Sequence, residues 1–149
     1  MDNHDKETRS YNMSRIRSTN TKPEEIVRKY LFSKGLRYRK NLSGLPGKPD
    51  IVLPKYKTVI FVNGCFWHKH EGCPKFVWPS SNTEYWRNKI NRNVERDSDN
   101  HQQLCDMGWR VLVVWECELK KQLRQDTLEK LYDCIVNGGQ TDSLCILTT

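Results

Sequence analysis

Two adjoining stretches decide the fold of this chain: TVIFV at residues 58–62 and CFWHKHEGC at residues 65–73. The first is apolar and largely β-branched, which is typical of a strand in the centre of a sheet. The second brings cysteines, histidines and large aromatic side chains to the end of that strand. Its Cys and His side chains can hold a metal ion, and Phe66, Trp67 and His68 can face a substrate.

The residues before this central strand predict one helix and two further strands. Thr21 can cap a helix and Glu24 can bond back to complete a capping box, and Gly35 ends the apolar stripe that follows. The alternating residues at 36–40 could form a strand. A short strand begins at Asp50, and a turn joins it to the central strand.

The residues after the stretch at 65–73 again predict alternating helices and strands. A second capping box at residues 81–84 could open a helix that runs to about Met107. A strongly β-prone strand follows at residues 109–115, and a last helix is expected at about 127–136. At 149 residues the chain is most simply one domain. This order of elements predicts an α/β sandwich with a mixed sheet.

The charge balance favours a polyanionic partner. The net charge is +7 and the isoelectric point is near 9.2, which points first to nucleic acid. A well-solvated surface that carries extra lysines is the plain alternative.

Several global features indicate where the protein works. Mean hydropathy is −0.80, and no apolar run approaches the ~20 residues that span a bilayer. The acidic start at residues 1–5 does not resemble a secretory signal. We therefore expect a soluble, cytoplasmic protein. Its six cysteines should then be metal ligands or free thiols rather than a disulfide scaffold.

Residues 1–20 form a polar, basic segment before the first helix. Its lysine and arginine side chains surround Met13 and Ile16, whose spacing of three residues fits one helical turn. Such a segment is commonly a frayed terminus. The functional alternative is an arm that becomes ordered on DNA.

The Cys and His residues near the central strand have a spacing that suits a metal site. The candidate ligands are Cys65, His70, Cys73 and Cys117. The last comes from the end of a later strand, and neighbouring strands of one sheet bring their same-side ends together. Three Cys and one His form a closed tetrahedral site, which is typical of structural rather than catalytic zinc. His68 or Cys105 could replace a ligand, and buried thiols with a surface histidine are the alternative without metal.

Three other side chains could take part in hydrolysis. Asp50 lies at a strand start, where a carboxylate can bind Mg²⁺, although a lone Asp after Pro is more often an ordinary turn residue. His68 falls outside the zinc set and could act as a general base on water. On spacing alone it is more often a surface histidine or a support for a ligand. Glu24 is a capping residue unless its helix faces Asp50.

The aromatic residues Phe66, Trp67 and Trp86 would usually belong to the core. Phe66 and Trp67, however, are consecutive and flanked by candidate ligands, so at least one of them must point away from the core. An exposed aromatic side chain on a basic protein can stack on bases or wedge between them.

Several separate motifs fall in a fixed order along the chain. They are GKPD at 47–50, VIFVNGCFWH at 59–68, NTEYW at 82–86, NVERD at 93–97 and GWRVLVVWEC at 108–117. NMSRI at 12–16 and the segment 21–24 add to them at the start. Together these motifs resemble the very-short-patch repair (Vsr) endonucleases, and the resemblance covers roughly residues 4–118.

The resemblance implies a restriction-endonuclease-like fold of three layers, with a mixed β-sheet between helices, related to the PD-(D/E)xK nucleases. It implies a monomeric enzyme that recognises the T:G mismatch left in double-stranded DNA by deamination of 5-methylcytosine. Such an enzyme nicks the strand 5′ of the mismatched thymine with Mg²⁺ and leaves a 5′-phosphate for short resynthesis. It accompanies a DNA cytosine-5 methyltransferase, and whether general mismatch-repair proteins join it stays open.

The family also implies roles for individual residues. Mg²⁺ would be held by Asp50 and the main-chain carbonyl of Val62, with His68 catalytic and Glu24 linked to the water around the metal. Zinc would be held by Cys65, His70, Cys73 and Cys117. The wedge into DNA would comprise Phe66, Trp67 and Trp86. Met13 and Ile16 would reach DNA from the other groove, in an arm of residues 1–20 that precedes a single endonuclease domain at 21–149.

Two positions depart from the family pattern. Asn63 stands where some members have a His and others an acid, so its catalytic role is an open question. Gly72 is an extra residue between His70 and Cys73, in the loop that would hold zinc. Two rival functions stay open: a restriction-type nuclease of other specificity, and a zinc-braced DNA-binding module without catalysis.

Overall fold

A mixed β-sheet with helices on both faces forms the body of the computed structural model, which describes residues 21–40, 42, 44–70, 72–74, 76–137 and 146–148. Its elements, in chain order, are α1 (Lys22–Ser33), β1 (Arg39–Lys40), β2 (Ile51–Leu53), β3 (Thr58–Asn63), α2 (Thr83–Asp106), β4 (Arg110–Trp115), α3 (Arg124–Asn137) and β5 (Ile146–Thr148). Short 3-10 turns at Pro54–Tyr56 and Glu116–Leu119 follow β2 and β4. The predicted arm at 1–20, with Met13 and Ile16, lies outside the described residues.

The sheet changes from antiparallel to parallel at its centre. The strand order is β1-β2-β3-β4-β5; β1, β2 and β3 pair antiparallel, and β3, β4 and β5 pair parallel. The register places Asn63 at the end of β3 opposite Trp115 at the end of β4. The loops after these two strands therefore leave from the same end of the sheet. This agrees with the expectation that Cys65 and Cys117 lie close together.

Two apolar clusters lie on opposite faces of the sheet and define three layers. On one face, side chains of α1 and α3 pack against Ile60 and Leu112. On the other face, Leu104 of α2 packs with the alternate strand residues Phe61 and Val113. Because successive side chains of a strand point to opposite faces, both clusters draw on the same strands. The predicted α/β fold with a mixed sheet between helices is confirmed.

The start of α1 follows the predicted capping box. The Thr21 side chain accepts a hydrogen bond from the Glu24 amide, and the Glu24 carboxylate accepts one from the Thr21 amide at 2.9 Å. Gly35 then ends the helix with a positive φ of 83°, a conformation that glycine adopts without steric cost. This cap matters for function because it fixes the position of Glu24.

Four sequence expectations differ from the structure. The strand predicted at 36–40 is reduced to β1, since only its last two residues pair with β2. The second capping box does not form, because Asn82 adopts a left-handed conformation and makes no side-chain cap to α2. The last helix begins earlier than predicted, at Arg124. The short strand β5 was not predicted; it pairs with the outer edge of β4.

A single arginine fastens the last helix to the sheet. Arg110 at the start of β4 donates hydrogen bonds to the carbonyls of Cys134 and Ile135 near the end of α3, at 3.0 and 2.8 Å, and to the Thr58 hydroxyl. A cation at these terminal carbonyls also interacts favourably with the helix dipole. None of the helices in the described part of the chain is long and apolar enough to cross a membrane.

Candidate active site and metal centre

Two buried carboxyl groups meet at the start of β2 and form what we call the carboxylate pair, Glu24 and Asp50. Asp50 accepts a hydrogen bond from the Val62 amide at 2.7 Å, which ties it to the end of β3. Glu24 is 2% exposed, and the two carboxyl groups are close enough to share a hydrogen bond. Two carboxyl groups can share a hydrogen bond only when one of them is protonated. When both are ionised, a cation between them can take the place of the proton.

The electrostatics of the carboxylate pair favour a bound cation. Burial raises the pKa of Asp50 to about 8, and the hydrogen bond and charge of Glu24 act in the same direction. The Val62 amide and the Arg28 charge oppose this rise. Oxygen ligands of this kind suit Mg²⁺, so the donor set fits the metal that the sequence implies. The Glu24–Asp50 contact shows that α1 faces Asp50, which was the condition for giving Glu24 more than a capping role.

His68 lies in the loop after β3 and pairs with a residue of α2. Its Nδ1 is 2.5 Å from Oδ2 of Asp97, and both side chains are about three-tenths exposed, at 30% and 27%. When the ring is neutral, an Nδ1–H that donates to Asp97 leaves Nε2 as the proton acceptor. His68 is therefore held in the tautomer that a general base requires.

A second histidine lies behind this pair. His101 follows Asp97 by one turn of α2, is buried, and its ring lies 4.8 Å from that of Phe61. Burial lowers the pKa of His101, while the negative charge of Asp97 opposes the shift. His101 thus packs the C-terminal part of α2, the helix that carries Asp97, against β3.

Four side chains that could bind a metal ion meet beyond the ends of β3 and β4. This four-ligand cluster consists of Cys65, His70, Cys73 and Cys117. One candidate ligand atom from each lies within 4.8 Å of all the others, and Nδ1 of His70 is 3.3 Å from Sγ of Cys117. Three sulfurs and one imidazole are the donor set of closed tetrahedral zinc sites, so these residues fit the metal that the sequence predicts.

The surroundings of the four-ligand cluster hold it in place. The Cys65 amide donates to Oε1 of Glu116 at 3.1 Å, which links the two loops. The His70 ring stacks on Trp115 with centroids 4.1 Å apart and planes 5° from parallel. Burial raises the pKa of Cys65 to about 12 and raises that of Cys117. A cation is therefore needed to hold these thiols as thiolates.

The extra residue in the loop of the four-ligand cluster does not separate the candidate ligands. Gly72 adopts a φ of +77°, and the Cys73 amide donates to the His70 carbonyl at 3.2 Å. This tight turn takes up the additional residue and returns Cys73 to the cluster. Among the remaining cysteines, Cys134 is a free thiol, whereas Cys105 is disulfide-bonded. The expectation of metal ligands or free thiols is wrong at Cys105.

The three predicted wedge residues form one aromatic cluster at the surface. Phe66, Trp67 and Trp86 contact one another with ring centroids 5.2 to 5.8 Å apart. All three are partly exposed, so none of them belongs to either core. The Trp67 carbonyl accepts a hydrogen bond from the Asn93 side chain at 3.1 Å. The aromatic cluster is therefore anchored to α2.

A basic groove runs along α2 to the His68–Asp97 pair. One part is lined by Lys89, Asn93 and Arg96 together with Trp67, His68 and Asp97. The adjoining part is lined by the same Lys89, Asn93 and Arg96, and also by Arg92. The exposed cations give the groove a positive potential, which suits a phosphate backbone.

Comparison with known proteins agrees with this geometry. Residues 1–75 match the family model described as DNA mismatch endonuclease Vsr. The chain is 44% identical to the DNA mismatch endonuclease Vsr of Escherichia coli (strain K12), over 93% of this chain and 90% of that protein. It is 53% identical to the type II nicking enzyme V.NmeAIP of Neisseria meningitidis serogroup A, over 83% of this chain and 88% of that protein.

The chain belongs to the Vsr family. A further relative, the type II nicking enzyme V.XorIIP of Xanthomonas oryzae pv. oryzae, is 50% identical over 76% of this chain and 82% of that protein. The resemblance to the Vsr family that the sequence motifs indicated is thus confirmed.

Within this Vsr fold the predicted site residues form three groups. The carboxylate pair and the four-ligand cluster each come together, and His68 lies in the loop between Val62 and the cluster. Asn63 is 5% exposed at the end of β3, next to Val62, and its role stays a prediction. The same holds for the Val62 carbonyl as a metal ligand.

Two residues of the Vsr site were missed in the sequence. Asp97 is part of the NVERD motif but was given no role, because nothing in the sequence shows that α2 passes beside His68. Arg28 lies one turn after Glu24 on α1, with Nη1 3.6 Å from Oε2 of Glu24. The Glu-to-Arg spacing of four residues was visible, but on a helix it usually marks an exposed pair.

Proposed function

We propose that this protein is an Mg²⁺-dependent DNA endonuclease that nicks double-stranded DNA 5′ of the thymine in a T:G mismatch. The observation that carries the proposal is that one short segment, residues 62–68, is bonded to both the carboxylate pair and Asp97. The carboxylate pair is bonded to Val62, and His68, six residues later, is bonded to Asp97. This segment also carries Phe66 and Trp67 of the aromatic cluster and adjoins the basic groove.

The carboxylate pair is the proposed Mg²⁺ site. Asp50 and Glu24 would hold the ion, with the Val62 carbonyl as a further oxygen ligand. Bound there, Mg²⁺ supplies positive charge against the negative charge that develops on the scissile phosphate.

His68 is the proposed general base. Its Nε2 accepts a proton from the attacking water, whose oxygen forms a bond to phosphorus as the bond from phosphorus to the 3′ oxygen breaks. The 3′ oxygen leaves with the bonding electron pair and takes a proton from solvent, so the products are a 3′-hydroxyl and a 5′-phosphate. Asp97 accepts a hydrogen bond from Nδ1–H and stabilises the imidazolium that forms.

The aromatic cluster supports mismatch recognition. Insertion of aromatic side chains between base pairs requires unstacking, which costs a few kcal/mol and least at a mismatched pair. Phe66, Trp67 and Trp86 are partly exposed and held in contact with one another, so they are ordered before DNA binds. The T:G pair then becomes the site where the wedge enters at the lowest cost.

The four-ligand cluster is the proposed zinc site, and its function is structural. All four protein ligands are present, so no coordination position is needed for water or substrate. Zinc would brace the loop that carries Phe66, Trp67 and His68. The ligands come from two loops at one sheet edge, so the brace also fixes this loop relative to β4.

The proposed biological role follows from the substrate. A T:G pair arises when 5-methylcytosine opposite guanine is deaminated, so the reaction that supplies the substrate is cytosine-5 methylation of DNA. The nick would start very short patch repair by a monomeric enzyme. The described residues give no reason to invoke a second subunit for the chemistry.

A duplex panel tests the proposal. Labelled duplexes that differ only in a central T:G, T:A or C:G pair are incubated with the protein and Mg²⁺, and the product ends are mapped. We expect a nick only in the T:G duplex, on the 5′ side of the thymine. Equal cutting of the matched duplexes would favour the restriction-type rival. Binding without any cutting would favour the non-catalytic module.

A further inference from the structure

Arg28 is a buried cation to which the reaction described above gives no role. The residue is 7% exposed, and its Nη1 lies 3.6 Å from Oε2 of Glu24. Within the described residues, Nη1 has no hydrogen-bond partner. Buried guanidinium groups normally have their donors satisfied, and a buried charge is costly unless it is compensated. The position of Arg28 therefore requires an explanation beyond hydrogen bonding.

The charge of Arg28 acts on both carboxyl groups. It is ion-paired with Glu24. Asp50 lies close enough to Glu24 to share a hydrogen bond with it, so the same guanidinium charge also acts on Asp50. With one positive charge beside two carboxyl groups, the metal-free site is compensated for one ionised carboxylate but not for two.

We infer that Arg28 is a positioning residue: a resident counter-charge that holds Glu24 and Asp50 together in the absence of a divalent cation and weakens their affinity for that cation. This rests on the proposed function, in which the carboxylate pair holds Mg²⁺. A divalent ion bound by the pair adds positive charge to the site. A fixed guanidinium nearby opposes that gain, especially in a buried site.

The consequence is that DNA completes the site. A scissile phosphate beside the pair adds the negative charge that Arg28 otherwise offsets. Mg²⁺ then binds firmly only when substrate is present, which links loading of the metal to the presence of a target. Without DNA the site stays assembled, because Arg28 keeps the two carboxyl groups from repelling each other.

Thermal unfolding in increasing Mg²⁺, without DNA, tests this inference. Arg28→Met removes the charge and keeps an unbranched side chain, Arg28→Lys keeps the charge, and Lys29→Met removes a charge from the exposed neighbouring position. In Arg28→Met we expect a lower Tm without metal and binding of Mg²⁺ about tenfold tighter than in the wild type. That tenfold gain corresponds to about 1.4 kcal/mol and adds about 4 °C to the rise in Tm at a fixed saturating Mg²⁺ concentration.

The matched variants separate charge from packing. Arg28→Lys and Lys29→Met should retain the weak Mg²⁺ response of the wild type, whereas a loss of packing alone would lower Tm without changing the Mg²⁺ response. Equal or weaker Mg²⁺ binding in Arg28→Met overturns the inference. If Arg28→Met does not fold without metal, Arg28→Gln is measured in its place. If neither variant folds without metal and Mg²⁺ restores the fold of neither, the inference is also overturned.

The same samples distinguish this inference from the proposed function. If the wild type nicks the T:G duplex with Mg²⁺ but Arg28→Met binds Mg²⁺ no more tightly, only the role of Arg28 is wrong. If no variant binds Mg²⁺ with or without the T:G duplex, the carboxylate pair is not the metal site, and both proposals fail.

Discussion

The four-ligand cluster and the carboxylate pair are both suited to cations, but they differ in how complete they are. The cluster supplies four soft donors from the protein within 4.8 Å of one another. The pair supplies two carboxyl groups and has a buried arginine beside them. In the function that we propose, the first arrangement would retain a metal as part of the fold, and the second would admit one together with substrate. On this proposal, completeness of the ligand set is what separates the structural site from the reactive one.

Replacement of Asp50 by Ala should have the largest effect on activity. Without the carboxylate, charge stabilisation at the phosphate is lost, and we expect nicking of a T:G duplex to fall by about 10³-fold. Zinc content and DNA affinity should stay near those of the wild type. Single-turnover nicking, metal analysis and a binding assay measure the three quantities. Asp99→Ala, which removes an exposed carboxylate from α2, is the control. Loss of zinc in Asp50→Ala would show that the two sites are not independent.

Replacement of Asp97 by Asn should reduce nicking by about 10²-fold, because the amide no longer fixes the His68 tautomer or stabilises the imidazolium. DNA binding should be unchanged, since Asp97 does not contribute positive charge. Asp99→Asn is the matched variant on the same helix. Nicking equal to the wild type would mean that His68 is not the base.

Replacement of Cys117 by Ala should act on stability rather than on Mg²⁺. Removal of one of four ligands is expected to release zinc and lower Tm by more than about 10 °C, because structural zinc contributes several kcal/mol to folding. Metal analysis and thermal unfolding measure this. Cys134→Ala, at a free thiol away from the cluster, should keep its zinc. If Cys117→Ala keeps one zinc per chain and its Tm, the cluster is not a closed zinc site.

The pH dependence of the metal-free protein should show a smaller effect. The folded-state pKa of Asp50 is raised by burial to about 8, from an ordinary value of 3.8, so the folded state binds a proton more tightly than the unfolded state does. The resulting stability is present at acidic pH and is lost as pH rises through about 8. We expect Tm to fall more steeply between pH 5 and pH 8.5 in the wild type than in Asp50→Asn. Identical slopes would contradict the raised pKa of the buried Asp50 carboxyl group.

The parts of the site that could be predicted are those fixed by local pattern. The apolar run at 58–62 identified the central strand, and the close spacing of Cys65, His70 and Cys73 suggested a metal. Cys117 could be added because parallel neighbouring strands end at the same edge. In each case a short sequence distance, or one strand pairing, determines the contact.

The parts that could not be predicted depend on tertiary packing. The contact between Asp97 and His68 requires the course of α2 across the sheet end, which spacing within the helix does not reveal. The burial of Arg28 depends on how α1 faces Asp50. At Asn82, a left-handed backbone replaced the expected cap, and β5 is too short for a periodic pattern and owes its strand geometry to the edge of β4.

Nicking of a T:G duplex as a function of Mg²⁺, with zinc determined on the same protein sample, tests the separation of the two sites most directly. We expect zinc at about one per chain throughout and nicking that rises from none, in protein freed of Mg²⁺, to its full rate as Mg²⁺ is added. Nicking that proceeds without Mg²⁺, or that follows the zinc content instead, would contradict the assignment of structure to the four-ligand cluster and chemistry to the carboxylate pair.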